Sequence, residues 1–190
     1  MLGVHDIWLF LAAGLLLNVT PGPDIIYIIG RSTQQGVRGG VAAALGICAG
    51  CLVHITAVAI GLSAILVASA FTFTILKWIG AAYLIYIGLQ MLMTSRSKGS
   101  SFPASSSSGV VGLRTIFLQG LLTNVLNPKV GLFFLAFLPQ FIQTDAPSKV
   151  TAFVVLGLVF NTTGTLWNLT VAWFAARLAS ALGSLRHLRV

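Results

Sequence analysis

The sequence predicts an all-α polytopic membrane protein with five transmembrane helices, the first and fourth of them broken, in a three-plus-three inverted-repeat architecture. Three observations predict it. The 190-residue chain is 57% hydrophobic and 7% charged, with a mean hydropathy of +0.97, far outside the range of soluble domains. Charged residues are confined to short stretches, and residues 39–76, 78–95 and 150–176 contain no Asp, Glu, Lys or Arg. Prolines then interrupt two apolar runs at corresponding places in the two halves of the chain.

The first span covers residues 7–29 and contains Asn18-Val19-Thr20-Pro21-Gly22-Pro23-Asp24. Pro21 and Pro23 lack a backbone N–H and clash with the preceding turn, so the helix breaks and frees carbonyls and amides. In lipid such backbone is tolerated only around a polar cavity. Asp24 points the same way, because an ionisable group at membrane depth is costly and is retained at ion or substrate paths.

Residues 31–38 read as a short polar loop. The second span, residues 39–62, places Gly40, Gly46 and Gly50 where another helix can approach closely. Cys48 and Cys51 form a C-x-x-C within it, which we read as small packing residues, since no accessible thiolate or further ligand accompanies them. A weakly polar turn over 63–74 leads to the third span, 75–93, with Trp78, Tyr83 and Tyr86 as interface anchors. Residues 94–112 are rich in Ser and Gly, the composition of a flexible linker. The single membrane domain, 1–190, thus divides into a first repeat over 1–93, a cytoplasmic linker over 94–112 and an incomplete second repeat over 113–190.

The second half repeats the first. Gly14-Leu15-Leu16-Leu17-Asn18-Val19 is echoed 106 residues later by Gly120-Leu121-Leu122-Thr123-Asn124-Val125, and Asn127-Pro128-Lys129 supplies the second break. An odd number of crossings between the copies makes them antiparallel, and interrupted helices in corresponding positions mark a binding site. Residues 115–144 as one straight helix would span roughly 45 Å against a core of about 30 Å, so a bend or re-entrant segment at Pro128 is expected. The fifth span, 150–176, carries Asn161, Thr162, Thr163, Thr165, Trp167 and Asn168, a face that suits a cavity or interhelical hydrogen bonds.

A net charge of +8 and a pI near 10.4 would suggest nucleic acid in a soluble chain, but here they report topology and no nucleic-acid partner is expected. Arg31, Arg38, Arg96, Lys98, Arg114, Arg177, Arg186 and Arg189 fall in alternate loops, after the first, third and fifth spans, so one orientation puts all eight on the same side. The positive-inside rule then sets the N-terminus in the periplasm and the C-terminus in the cytoplasm. No basic residue precedes the first apolar run and no small-residue cleavage site follows it, so it reads as a retained span.

Taken in order, the Thr20-Pro21-Gly22-Pro23-Asp24 break, the Gly-rich second span, Gly80-Ala81-Ala82-Tyr83-Leu84, and Asn127-Pro128-Lys129 leading into Phe133-Phe134-Leu135-Ala136-Phe137-Leu138-Pro139-Gln140-Phe141 resemble the LysE/RhtB amino-acid exporters. The resemblance covers residues 8–177. It implies a bacterial inner-membrane exporter of amino acids or close derivatives such as threonine, homoserine, homoserine lactone or lysine, working by proton-coupled antiport. It also implies about six spans as two inverted halves. The chain stops where a loop to the sixth would begin, so a truncated product or a five-span variant is expected.

The substrate-binding and coupling candidates are Asn18, Pro21, Gly22, Pro23, Asp24, Asn124, Asn127, Pro128, Lys129 and Asn161. Asp24 is expected to contact a substrate ammonium or carry the coupled proton, with Lys129 as its alternating partner across a pseudo-two-fold axis. Half-helix N-termini suit a substrate carboxylate. The competing reading places both charges near the membrane faces, capping helices or snorkelling. His54 reads equally as an interior histidine or a proton relay.

An enzyme is not expected. The chain has no glutamate and three aspartates, Asp6, Asp24 and Asp145, too few for a buried acid–base pair, and Ser63 with His54 lacks an oxyanion-hole signature. The rival readings are a passive channel or cation permease and an inactive fragment. No clustered ligand set supports a metal site, and no cofactor is predicted. The mass of 20.0 kDa is small for a transporter and favours a homodimer within the lipid bilayer.

Overall fold

The computed structural model describes residues 3–68, 78, 82, 111–143 and 145–187. Among them every extended element is helical, and one isolated antiparallel bridge pairs Val4 with Ile142.

Helix α1 is Ile7–Val19, and one further turn bond survives, from Thr20 N–H to the Leu16 carbonyl at 3.0 Å. Beyond that the prolines supply no donor. Helix α2, Pro23–Ala68, opens with Pro23 at its first helical position, where a missing N–H costs nothing. The Gly22 carbonyl accepts the first intrahelical bond, from Ile26 N–H at 3.1 Å, so the gap is confined to residues 20–22.

The expected polar loop over 31–38 is corrected to a hinge of two residues. Gln35 (φ −126°, ψ 17°) and Gly36 (φ 67°, ψ −162°) divide the 46-residue α2 into arms 23–34 and 37–68. Arg31, Ser32, Thr33 and Gln34 stay helical because the hydroxyls satisfy themselves on the preceding turn. Ser32 Oγ donates to the Ile28 carbonyl at 2.7 Å, and Thr33 Oγ1 to the Ile29 carbonyl at 3.0 Å.

Helix α3, Leu113–Val125, and helix α4, Pro128–Leu132, are separated by residues 126 and 127. A π-helical turn, Phe133–Phe137, and a 3-10 turn, Leu138–Phe141, prolong α4, and the two arms meet at 48°. Pro128 again stands at a first helical position. Helix α5, Lys149–His187, has 39 residues and is therefore roughly 58 Å long, continuing as helix through the basic stretch from Arg177.

Pro23–Gly61 and Lys149–Leu182 are each long and apolar enough to cross a membrane, and the bent α3–α4 pair makes a third span if counted as one. α1 is a shorter apolar helix. Of the expected third span, only Trp78 and Ala82 are described, both helical; Tyr83, Tyr86, residues 69–74 and linker residues 94–110 lie outside the described residues.

The chain forms two compact units. One draws on 1–11, 54–107 and 128–159. Its core is aromatic: Phe10 packs edge-on to Phe141 at 5.3 Å, Phe133 edge-on to Phe134 at 5.7 Å, and His54 lies flat on Phe134 at 6.1 Å. His5 N–H bonds the Phe141 carbonyl at 3.0 Å and Gln143 N–H the Gly3 carbonyl at 2.8 Å, tying the N-terminal residues to the end of the α4 arm.

The other unit draws on 12–53, 108–127 and 160–190, with Ile28, Ala43, Ala44, Ile47, Ile116 and Ala172 at its core. Here α2 and α3 meet backbone to backbone. Gly46 faces the Phe117 carbonyl, and a Cβ on Gly120 would lie 2.7 Å from the Ala43 carbonyl. Only glycine permits that approach.

Candidate functional site

The second unit holds a closed ring of polar contacts at the two helix breaks. Asp24, in the first turn of α2, accepts a hydrogen bond on Oδ2 from Asn124 Nδ2 of α3 at 2.8 Å. Asn124 is buried and sits against Gly50 of α2, whose Cβ would lie 2.8 Å from that of Asn124. Two residues before Gly50, Cys48 Sγ accepts from Asn161 Nδ2 of α5 at 3.4 Å. Gly164, one turn further along α5, meets Asn18 of α1, and a Cβ there would lie 2.9 Å from Asn18 Oδ1. Residues 18–24 complete the ring by running from α1 through the break into α2.

These contacts come in matched pairs. Gly14 of α1 faces Phe160 of α5, and Gly120 of α3 faces Gly46 of α2; four residues on, Asn18 faces Gly164 and Asn124 faces Gly50. Each α1 residue lies 106 positions before its α3 counterpart, and each α2 residue 114 before its α5 counterpart. The extra eight positions fall between α3 and α5, within residues 125–159.

Of the sequence candidates, Asn18, Asp24, Asn124 and Asn161 join the ring, while Pro21, Gly22, Pro23 and Asn127 form the breaks beside it. Asn127 is buried, and its N–H bonds the Asn124 carbonyl at 2.9 Å. Pro128 and Lys129 belong to the other unit, where Lys129 is buried at the start of α4. One hydrogen-bond partner of Asp24 is an amide from the opposite half of the sequence. The helix N-terminus at Pro23 is complemented by Asp24 itself, a carboxylate in the first turn of a positive helix end.

Sequence reasoning read Cys48 as packing and left Gly164 out, although both contribute to the ring. It also missed a clasp outside it. Tyr27 OH donates to the Ile116 carbonyl at 2.8 Å, Arg31 Nη2 donates to Gln119 Oε1 at 2.8 Å, and the guanidinium lies 5.4 Å above the Tyr27 ring. The i, i+4 spacing of Tyr27 and Arg31 on one helix face was the available signal. Cys48 and Cys51 are both free thiols, and no group of three or more His, Cys, Asp or Glu side chains among the described residues is arranged to hold a metal.

Long apolar helices, two proline breaks and a ring of contacts built from both halves of the sequence define a multi-pass helical membrane protein. The chain belongs to the LysE type translocator family, whose model matches residues 15–190. It is 31% identical over 180 residues to an uncharacterized membrane protein of Pseudomonas aeruginosa, covering 94% of this chain and 83% of that one. It is also 31% identical over 155 residues to the leucine efflux proteins of Salmonella typhimurium and Salmonella choleraesuis, covering 81% of this chain and 71% of theirs. No solved structure matches it.

Proposed function

We propose that the protein exports amino acids, small neutral ones such as leucine, across the bacterial inner membrane in exchange for protons. The observation that carries this reading is the Asp24–Asn124 hydrogen bond within a ring of helix segments at the breaks. The sequence has three acidic residues in all, and Asp6 and Asp145 both lie outside the helices. Asp24 is thus the carboxylate within the described spans, and one carboxylate holds a proton or an ammonium but not both. Occupancy by one releases the other, which is the logic of an antiporter. The relatives that bear the name leucine efflux protein support a neutral substrate.

The matched contacts support an inverted-repeat reading, in which the first helix of each half packs on the second helix of the other half in the same register. Alternating access then rocks one half against the other, with Lys129 as the buried cation at the second break and the N-terminus on the periplasmic side. Cells loaded with a leucine-containing dipeptide and expressing the chain should release leucine faster than cells with empty vector. Unchanged release of every amino acid in a broad panel, with membrane insertion verified, would exclude the exporter.

A further inference from the structure

Asn18 and Asn124 of the ring are equivalent in position but not in bonding. Asn124 Nδ2 donates to a carboxylate. Asn18 Nδ2, 106 residues earlier, is buried and has no acceptor. The reason is legible in the repeat: the residue 106 positions after Asp24 is Val130, which offers no acceptor side chain. A buried amide donor at membrane depth without an acceptor is unfavourable and rare in folded proteins.

We propose that the Asn18 amide anchors the substrate carboxylate, taking from the substrate what Asn124 takes from Asp24. This rests on the exporter reading above and assigns the ammonium to Asp24. The transported class is then α-amino acids with a free carboxylate, and their amides, esters and lactones are poor substrates.

Two further observations favour Asn18 over a helix end as the carboxylate site. The N-terminus of α2 already carries Asp24 in its first turn, so a second anion there meets a neutralised dipole and a like charge. The other break restarts at Pro128, whose ring nitrogen has no N–H to offer an anion.

The test uses the full chain reconstituted in liposomes, with counterflow of labelled leucine as the readout and unlabelled leucine or leucinamide as competitor. Leucinamide keeps the ammonium and side chain but lacks the carboxylate. In the unmodified protein leucine should compete at least about tenfold better than leucinamide, the scale set by one hydrogen bond to a charged group. Asn18→Leu should weaken competition by leucine about tenfold and leave that by leucinamide unchanged. Equal competition by the two compounds in the unmodified protein overturns the proposal, whether or not the variant reconstitutes. A wild-type preference retained in Asn18→Leu also overturns it. Absence of any leucine counterflow in the unmodified protein instead removes the leucine-exporter reading on which it rests.

Discussion

Asn124 donates to Asp24 across 100 residues of sequence, at 2.8 Å, and joins the first helix of the second half to the restart after the first break. A neutral amide donating to a carboxylate stabilises its charge without neutralising it.

Asp24→Asn should abolish efflux while leaving insertion intact, because an amide neither carries a proton nor attracts an ammonium. The exchange of both residues, Asp24→Asn with Asn124→Asp, restores a hydrogen bond of reversed polarity but moves the carboxylate out of the α2 first turn. Its thermal stability in detergent should exceed that of Asp24→Asn alone, with efflux still below a tenth of wild type. Efflux at the wild-type level in Asp24→Asn would show that the carboxylate is not the coupling group, and in the double exchange that its place in the α2 first turn is not required.

The α2–α3 contact should be intolerant of one methyl group. Gly120→Ala places a carbon 2.7 Å from the Ala43 carbonyl, a backbone atom that cannot turn aside. A loss of about 1–3 kcal/mol in unfolding free energy is expected, as for overpacked cores. Gly30→Ala on the same α2 meets nothing within 4 Å and should be neutral or stabilising by about 0.5–1 kcal/mol through helix propensity. Denaturant unfolding in micelles compares the two, and equal effects would contradict the packing.

Gln119→Leu removes the Oε1 that accepts from Arg31 Nη2 at 2.8 Å and from Tyr27 OH at 3.2 Å. Tyr27 keeps the Ile116 carbonyl, so the loss falls on the charge-assisted bond. Partial exposure limits it to about 1 kcal/mol, below the buried range for charged groups. Gln119→Glu should recover the stability by pairing with Arg31, and a melting temperature no better than that of Gln119→Leu would dissociate the clasp from stability.

The breaks and the repeated Asn were legible because proline chemistry and a 106-residue echo are local signals. The Gly46 and Gly50 approach was legible too, since small residues three to four apart announce close packing. The bond from Asn124 to Asp24 was not, because which amide meets Asp24 is fixed by helix register, and Gly50 and Asn124 set that register through contacts 74 residues apart. The 31–38 segment misled for another reason: its composition is polar, but Ser32 and Thr33 bond back to their own helix, so polarity did not mean a loop.

Gly36 is the remaining test of how the two arms of α2 work. Its φ of 67° with ψ of −162° lies in a region open essentially to glycine, and it is flanked by Gln35 at φ −126°. Any other residue there costs on the order of 1–3 kcal/mol. A side chain would meet no atom within 4 Å, so the penalty of Gly36→Ala is conformational and not steric crowding by neighbours. Two consequences can be separated. If the hinge serves only to turn the chain, Gly36→Ala lowers thermal stability in detergent and leaves the efflux rate per inserted molecule unchanged. We expect both to fall, because rocking the 23–34 arm, which carries Asp24 at its start, against the 37–68 arm, which carries Cys48 and Gly50, requires this joint to move. Efflux per molecule, measured on quantified membrane fractions, decides between them: an unchanged rate would make the hinge a fixed corner.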